Sequence, residues 1–479
     1  MFSIKARYAA WLVSALACSF AIAEVPPASV TEVFAKAKVP LENVAILVKE
    51  VGSKDTLIAL NADKSMNPAS VIKLVTTYAG LELLGPTYTW KTEVLSAGEM
   101  RGGVLRGDLV LKGSGDPKLS VDRFASIVKQ LRDRGLDEIQ GDLILDRTAF
   151  ENAPHDEAAF DGEGLRAYNV GPDPLLLSFK TVRFFFAPTL DNKSVAISPD
   201  VKPSQLAVTN RVKLVDGPCG EWRDRIVLDV QDTKPTQVRV SFTGSFPRSC
   251  VERAWNVSIL DHARFVGGVF AQLWRASGGK WEGAVKLLPT PANAKSIAVS
   301  ESPPMSDVVR DINKYSNNVM ARQLFLTLSA DAWVGNAKEP GNASRSAQIV
   351  KEWLAKKNIA APELVLENGS GLSRSERISA AALAQLLDAA WRSSVMSEFM
   401  SSMPLVGLDG TLRRRGRGEN VAGQAHLKTG SLNDARAVAG YVLDQRGRRW
   451  IVVMMANHAN VGQTQAAQDG FINWVYSRP

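Results

Sequence analysis

The sequence predicts a multi-domain α/β (α+β) protein in which a long insertion interrupts the domain formed by the two chain ends. The chain has 479 residues, more than one ordinary hydrophobic core requires and enough for two or three domains. Strand-like segments occur near both termini with helical patterns between them, as expected for one sheet built from both ends. Residues 175–245 instead carry short β-prone runs separated by Pro, Gly and Asp, which indicates a small β-rich module.

The first residues are predicted to be a signal peptide rather than part of the fold. Two basic residues precede an apolar stretch at residues 9–22, and residues 21–23 read Ala-Ile-Ala, a small-residue cleavage site. The stretch is too short for a stable membrane span, so residues 1–23 indicate export. A lipoprotein site at Cys18 is the alternative, but Ala15 stands where a larger aliphatic residue is expected.

A β-hairpin and a helix follow the leader. The segments NVAILVKE (43–50) and TLIALN (56–61) are typical of two strands joined by a Gly-Ser-Lys turn. Asn67 is then a suitable N-cap and Pro68 a suitable first helical residue, so the helix is predicted to begin at about Pro68. Ser70 therefore falls in the first turn of this helix.

The insertion is predicted from a change of pattern after this helix. Two similar strand segments, GDLVLKG (107–113) and GDLILD (141–146), flank a helical stretch at about 121–134, which suggests a small α/β unit. The β-rich module follows, helical patterns return after about residue 257, and strands end the chain. The predicted divisions are a signal peptide (1–23), a first domain (24–90 and 288–479), an inserted α/β domain (91–174 and 246–287) and a small β-rich domain (175–245).

Composition and charge limit the possible partners. The chain is 45% hydrophobic and 22% charged, which indicates a globular protein. Its net charge of +8 suits anionic polymers or membrane surfaces, although the basic residues are scattered apart from a cluster at 413–417. An exported chain does not meet nucleic acid, so we expect no nucleic-acid partner and at most peripheral membrane association. The four histidines show no ligand spacing, so we expect no metal site and no cofactor.

Two cysteines, Cys219 and Cys250, remain after the leader. In an oxidising compartment an even pair predicts a disulfide, and two free buried thiols are the alternative. Closing a loop of this length stabilises a fold by roughly 3–4 kcal/mol in the chain-entropy model.

Ser70 and Lys73 form a Ser-x-x-Lys pair that can generate a nucleophile. In the first helical turn, the N–H of Ser70 lacks an intrahelical acceptor and the positive end of the helix dipole lies near its hydroxyl. Lys73 shares a helix face with Ser70, and a lysine that is desolvated or near a second cation can accept the serine proton. The structural alternative is a lysine that extends from a core helix to water.

Two distant segments strengthen the catalytic interpretation. Ser316-x-Asn318 is predicted where a loop enters a helix, and Lys428-Thr429-Gly430 lies on a candidate strand. Ser-x-x-Lys, Ser-x-Asn and Lys-Thr-Gly in this order are the motif set of serine β-lactamases and penicillin-binding proteins. Ser316 is expected to pass a proton to the leaving amine, and Asn318 to hold the base and the substrate amide.

The strand motif is expected to bind the substrate. Lys428 places a second cation near the base and, with Thr429, binds a substrate carboxylate. Gly430 lets the backbone approach a ligand closely. The N–H groups of Ser70 and Ser431 are the expected oxyanion hole.

With these motifs, the sequence resembles the class C low-molecular-mass penicillin-binding proteins, the D-alanyl-D-alanine carboxypeptidase/endopeptidase family (peptidase family S13). The resemblance covers nearly all of the mature chain. The segments that carry it are PASVIKLVTTYAGLELLGPTYTWKTEV, GDLVLKGSGDPKLS, NGSGLSRSERISAAALAQLL, PLVGLDGTLRRR and LKTGSLNDARAVAGYV.

The resemblance implies a β-lactamase/transpeptidase-like domain split between the first two motifs by an insertion that forms two further domains. It also implies a periplasmic serine D,D-carboxypeptidase/D,D-endopeptidase that acts on peptidoglycan stem peptides through an acyl-enzyme on Ser70 and is inhibited by β-lactams. The alternatives are a serine β-lactamase and a non-catalytic peptidoglycan-binding protein of the same fold.

The sequence departs from the family pattern at two positions. Arg322 stands where the family often has an acidic residue, and Ser431 stands where threonine is common. The Tyr315-x-Asn317 frame is also open to interpretation as the Tyr-x-Asn motif of class C β-lactamases, but the family context favours the Ser316 frame.

Overall fold

The computed structural model describes residues 25–234, 237–331 and 339–478. The predicted signal peptide and Cys18 lie outside these residues. Within them, every helix is too short or too polar to cross a membrane.

Five of the helices in the described residues begin at a side-chain N-cap. Ser120, Asp261, Asn317, Asn342 and Ser379 each accept a hydrogen bond from the first turn of a helix, as N-cap residues do. The helices are α1 (Ala28–Lys36), α2 (Lys73–Leu83), α3 (Val121–Asp133), α4 (His262–Ala276), α5 (Met305–Tyr315), α6 (Asn318–Ala330), α7 (Ala343–Lys356), α8 (Ala380–Trp391), α9 (Met396–Ser402) and α10 (Gln465–Tyr476).

The strands of the described residues form four sheets. They are β1 (Val44–Glu50), β2 (Thr56–Leu60), β3 (Lys91–Arg101), β4 (Val104–Gly113), β5 (Glu138–Ile139), β6 (Leu143–Asp146), β7 (Val182–Pro188), β8 (Val195–Pro199), β9 (Leu206–Val215), β10 (Ile226–Lys234), β11 (Gln237–Pro247), β12 (Arg253–Val257), β13 (Lys280–Trp281), β14 (Val285–Leu287), β15 (Lys295–Glu301), β16 (Ala425–Ser431), β17 (Ala435–Leu443) and β18 (Arg449–Asn457).

One antiparallel sheet joins the two ends of the chain, as predicted. Its strand order is β16-β17-β18-β1-β2, so the first hairpin of the chain pairs with the last three strands. Successive side chains of β1 point to opposite faces of this sheet. Ala45 and Leu47 pack against the helical cluster around α2, whereas Ile46 and Val48 pack against α1 and α10. The sheet is therefore buried on both faces, and β16 forms its edge by pairing with β17.

The insertion begins directly after this hairpin and α2. In its larger sheet, β4 pairs in parallel with β6, and Leu109 lies opposite Leu143. Helix α3 connects these two strands, which confirms the predicted strand–helix–strand unit. Two three-stranded sheets, β10-β11-β9 and β12-β7-β8, form the β-rich part and share an aromatic core. Cys219 and Cys250 form a disulfide there.

Strand pairing differs from the predicted domain boundaries at two points. β12 pairs with β7 of the β-rich part, although the sequence predicts residues 246–287 to be part of the α/β unit. β15 pairs with β3 of the insertion, although the predicted first domain resumed at residue 288. A local sequence pattern indicates that a segment is a strand but not which distant strand it pairs with, so boundaries between sheets are hard to place.

Candidate active site

Ser70 lies in a short 3₁₀ turn, Ala69–Ile72, directly before α2. The regular α-helix begins at Lys73 rather than at the predicted Pro68, because Ala69 has a φ of +46° in the left-handed region. Such a backbone conformation interrupts an α-helix and is uncommon for alanine. Asn67 is therefore not the predicted N-cap of a helix; its Oδ1 instead accepts a hydrogen bond of 2.9 Å from the Ala69 N–H, two residues later, just before Ser70.

Lys73 is fully buried and bonded to groups from three segments of the chain. Its Nζ lies 2.9 Å from Ser70 Oγ and 2.7 Å from Asn318 Oδ1, and it donates to the Ser370 carbonyl. An exposure of 0% excludes the alternative in which this lysine extends to solvent. The Nζ–Oγ distance is within the range required for proton transfer.

The surroundings of Lys73 favour its neutral form. Burial lowers its pKa well below the ordinary value, and the positive charges of Lys428 and Arg322 lower it further. Glu376 acts in the opposite direction. Burial also lowers the pKa of Lys428 to about 7. A neutral amine beside a serine hydroxyl is the arrangement that general-base activation requires.

The second motif lies at the junction of α5 and α6. Ser316 ends α5 in a left-handed conformation with a φ of +55°, and Asn318 begins α6. Between them, the Asn317 side chain caps α6 by accepting from the Met320 N–H at 3.0 Å. Tyr315 is 71% exposed. The geometry therefore directs Ser316 and Asn318 into the site and leaves the Tyr315-x-Asn317 frame to surface and capping roles.

The strand motif completes the cluster from the edge strand β16. Lys428 Nζ donates to Ser316 Oγ at 2.9 Å and to the Thr429 carbonyl at 2.7 Å. The hydroxyl groups of Thr429 and Thr411 lie 2.9 Å apart. Ser431 is exposed at the end of the strand, where its Oγ accepts a 2.8 Å hydrogen bond from Arg436.

Two glycines let the backbone of other segments approach the Ser70 N–H. A Cβ added at Gly430 would lie 2.9 Å from Ser70 N and 2.6 Å from the Pro68 carbonyl oxygen. A Cβ added at Gly371, whose φ is +82°, would lie 2.6 Å from Ser70 N. Side chains at these positions would displace the backbone that carries the serine.

The structure thus brings together Ser70, Lys73, Ser316, Asn318 and Lys428. Sequence reasoning missed their neighbours in other segments. Those neighbours are Ser370 and Glu376 in the turn region 368–376, Thr411 before β16, and the Tyr168 carbonyl, which lies 3.4 Å from Asn318 Nδ2. The glycine-rich segment NGSGLSR (368–374) is the feature of the sequence that indicates a turn at this position.

Arg322 takes part in the site through its charge and its contact with the insertion. It is buried on α6, one turn after Asn318, and donates a 3.1 Å hydrogen bond to the Val170 carbonyl. Burial lowers the pKa of the guanidinium. Arg322, which stands where the family often has an acidic residue, therefore places a further cation near Lys73.

A cavity of about 980 Å³ lies beside this cluster. It is lined by Arg322 and Phe325 of α6, by residues 151–156 of the insertion, and by residues 372–375. None of the motif residues lines it among the described residues. The cavity adjoins the cluster of motif residues but does not include them.

Known proteins with similar sequences carry carboxypeptidase names. The chain is 24% identical over 429 residues to D-alanyl-D-alanine carboxypeptidase DacB of Haemophilus influenzae, covering 88% of this chain and 87% of that protein. It is 26% identical over 469 residues to D-alanyl-D-alanine carboxypeptidase of an Actinomadura species, covering 93% of this chain and 84% of that protein.

Solved structures show the same fold. Penicillin binding protein 4 of Haemophilus influenzae superposes with a TM-score of 0.75 at 22% identity, over 94% of this chain and 99% of that one. The predatory peptidoglycan endopeptidase Bd3459 of Bdellovibrio bacteriovorus superposes with a TM-score of 0.51 at 17% identity, over 90% of each chain. The predicted multi-domain fold with a long insertion is confirmed.

Family membership follows from the match along the whole chain. The sequence profile of the D-Ala-D-Ala carboxypeptidase 3 (S13) family matches residues 27–476. This match includes all three motifs and the insertion between the first two, and it confirms the family predicted from the sequence. The chain therefore belongs to the D-Ala-D-Ala carboxypeptidase 3 (S13) family of peptidases.

Proposed function

We propose that this carboxypeptidase-family enzyme cleaves peptidoglycan stem peptides through an acyl-enzyme on Ser70. The bond attacked is the terminal D-Ala–D-Ala bond, or the D-Ala–diaminopimelate bond of a cross-link. The observation that carries the proposal is the position of Lys73 Nζ, 2.9 Å from Ser70 Oγ in a fully buried environment that lowers the lysine pKa.

Acylation uses the groups gathered around Ser70. The neutral amine of Lys73 takes the hydroxyl proton as Oγ attacks the D-Ala carbonyl carbon. The N–H groups of Ser70 and Ser431 are proposed to stabilise the resulting oxyanion. When the C–N bond breaks, Ser316 passes a proton to the departing amine, and water then hydrolyses the ester on Ser70.

The substrate carboxylate is proposed to bind at the strand motif. Lys428 supplies positive charge, and the adjacent hydroxyl groups of Thr429 and Thr411 supply hydrogen-bond donors at the mouth of the site. A β-lactam presents a reactive carbonyl next to a carboxylate, so the same groups would orient it for attack by Ser70. A solved structure of the Haemophilus influenzae protein is a complex with a β-lactam.

We also propose that the protein works in the periplasm. The disulfide between Cys219 and Cys250 is consistent with an oxidising compartment, and the predicted leader at residues 1–23 supports export. For the domain division, we propose a catalytic domain formed by residues 24–90 and the region after Glu301, since strand pairing continues the insertion's sheet to that residue.

The test uses labelled penicillin and purified muropeptides. The wild type should retain the label covalently and release D-alanine from pentapeptides, and Ser70→Ala should do neither. Equal labelling of both proteins would remove Ser70 from the mechanism. Rapid turnover of the acyl form would indicate a β-lactamase, and binding of muropeptides without D-alanine release would indicate a non-catalytic binding protein.

A further inference from the structure

Glu376 is a buried carboxylate beside the base that belongs to none of the three motifs. Its side chain is fully buried. Oε1 accepts hydrogen bonds from the backbone N–H groups of Asn368 at 3.1 Å and Gly369 at 2.7 Å. A buried carboxylate is costly unless it is paired and hydrogen-bonded, so a role beyond filling space is expected.

The backbone that Glu376 holds contacts both the base and the nucleophile segment. The carbonyl of Ser370 accepts a hydrogen bond from Lys73 Nζ. The next residue, Gly371, approaches so closely that an added Cβ would lie 2.1 Å from the Ala69 carbonyl oxygen. The turn anchored by Glu376 therefore sets the direction of the lysine amine toward Ser70.

Glu376 is also the one acidic group among those that act on the charge of Lys73, and burial raises its own pKa while the N–H groups of the turn and Lys73 lower it. The charged groups that act on Lys73 come from three elements packed against it: Lys428 from β16, Arg322 from α6 and Glu376 from the turn. Two of them are cationic and lower the lysine pKa, and Glu376 alone among these three raises it. The carboxylate therefore limits how weak a base Lys73 becomes.

We propose that Glu376 is a positioning residue for acylation: it fixes the 368–371 turn so that the Ser370 carbonyl orients Lys73, and its charge balances the cations around that amine. The inference rests on the proposed function, because it assigns Lys73 the role of base for Ser70. A general base is most effective when its pKa is near the working pH. Without the carboxylate, Lys73 would lose its proton at lower pH but would also accept the serine proton less readily.

The substitutions Glu376→Gln and Glu376→Ala separate the two parts of this role. Gln keeps an oxygen that can accept from the turn but removes the charge, whereas Ala removes both. The matched control is Glu367→Gln, an exposed carboxylate of the same segment that accepts from the Ser373 and Ser375 hydroxyl groups. The measurement is the second-order rate of acylation by labelled penicillin as a function of pH.

For Glu376→Gln, the acid limb of the profile should move to lower pH, and the plateau rate should fall several-fold. Glu376→Ala should lower the plateau by a further factor of about ten, and Glu367→Gln should leave the profile unchanged. An unmoved acid limb in Glu376→Gln, or an equal shift in Glu367→Gln, would overturn the inference. Wild-type protein that takes no label at any pH would instead refute the proposed function, so the two failures are distinguishable.

Discussion

Replacing Lys428 with Met tests whether the buried cation of the strand motif destabilises the fold. Burial lowers the pKa of this amine from 10.5 to about 7 in the folded protein, while the unfolded chain keeps the ordinary value. Between these two pKa values the unfolded state binds more protons than the folded state. The free energy of unfolding therefore rises with pH across this window, and below it the full penalty for burying the ammonium is present.

The expected effect is a balance of two terms. At about 1.4 kcal/mol per pKa unit, the lowered pKa destabilises the folded protein by roughly 4 kcal/mol at pH 7. Methionine removes this penalty but leaves the acceptors on Ser316 and Thr429 without their 2.9 and 2.7 Å hydrogen bonds, which costs about 1–3 kcal/mol. Lys428→Met should therefore be more stable than the wild type by about 2 kcal/mol at pH 7.

Urea unfolding at pH 7 and near pH 10 measures this balance. The advantage of Lys428→Met should disappear near pH 10, because the wild-type lysine is neutral in the folded state there and only about 1 kcal/mol of the burial penalty remains relative to the partly protonated unfolded state. Labelled penicillin should acylate the variant far more slowly at both pH values. Lys129→Met, which changes an exposed lysine of α3, should alter stability by less than about 0.5 kcal/mol. A Lys428→Met protein that is less stable at pH 7, or whose advantage does not depend on pH, would refute the reasoning.

Two further substitutions test the insertion and the turn. Replacing Cys219 and Cys250 together by Ala should lower the free energy of unfolding of the β-rich part by about 3–4 kcal/mol, as expected for a sequence separation of 31 residues. Urea unfolding measures this loss, and a loss of less than about 1 kcal/mol would contradict the prediction. Gly371→Ala should slow penicillin acylation at least about 100-fold, because its Cβ would meet the Ala69 carbonyl oxygen at 2.1 Å. The control is Gly85→Ala, because Gly85 has a similar φ of +89° but open space around it, so this variant should react with penicillin at the normal rate. An equal loss of acylation rate in both variants would show that backbone strain alone is responsible.

The features that the sequence predicted correctly depend on local patterns. Alternating apolar residues identified the hairpin strands at 43–50 and 56–61, and the repeated GDL segments identified β4 and β6. The proposed chemistry was predicted from three motifs. In each motif, the spacing of two residues along one element brings their side chains to the same region. Such patterns report which residues share a face, and packing of the fold then brings the faces together.

The features that the sequence did not predict depend on contacts between distant segments. Ser370 meets Lys73 across 297 positions of sequence, and Thr411 meets Thr429 across a loop that has no regular pattern. The predicted start of α2 at Pro68 is too early, because Asn67 and Pro68 are typical of a helix start whereas the left-handed conformation of Ala69 delays the helix. A polar residue in a loop shows no periodicity, so its partner becomes evident only in three dimensions.

The same kind of long-range contact attaches the insertion to the candidate active site. The Gln323 side chain bonds both backbone groups of Asp173, accepting from its N–H and donating to its carbonyl at 2.8 Å each, and Arg322 bonds the Val170 carbonyl. Both side chains lie on α6, the helix that begins at Asn318. The segment 166–173 is thereby fixed against the helix whose first residue, Asn318, bonds Lys73, and the Tyr168 carbonyl of this segment lies 3.4 Å from Asn318 Nδ2. We expect this fixed segment to limit the bulk of the bound peptide, because a cross-linked peptide is bulkier than a free peptide end. The preference between carboxypeptidase and endopeptidase substrates should therefore depend on this segment rather than on the three motifs, which act on the bond common to both.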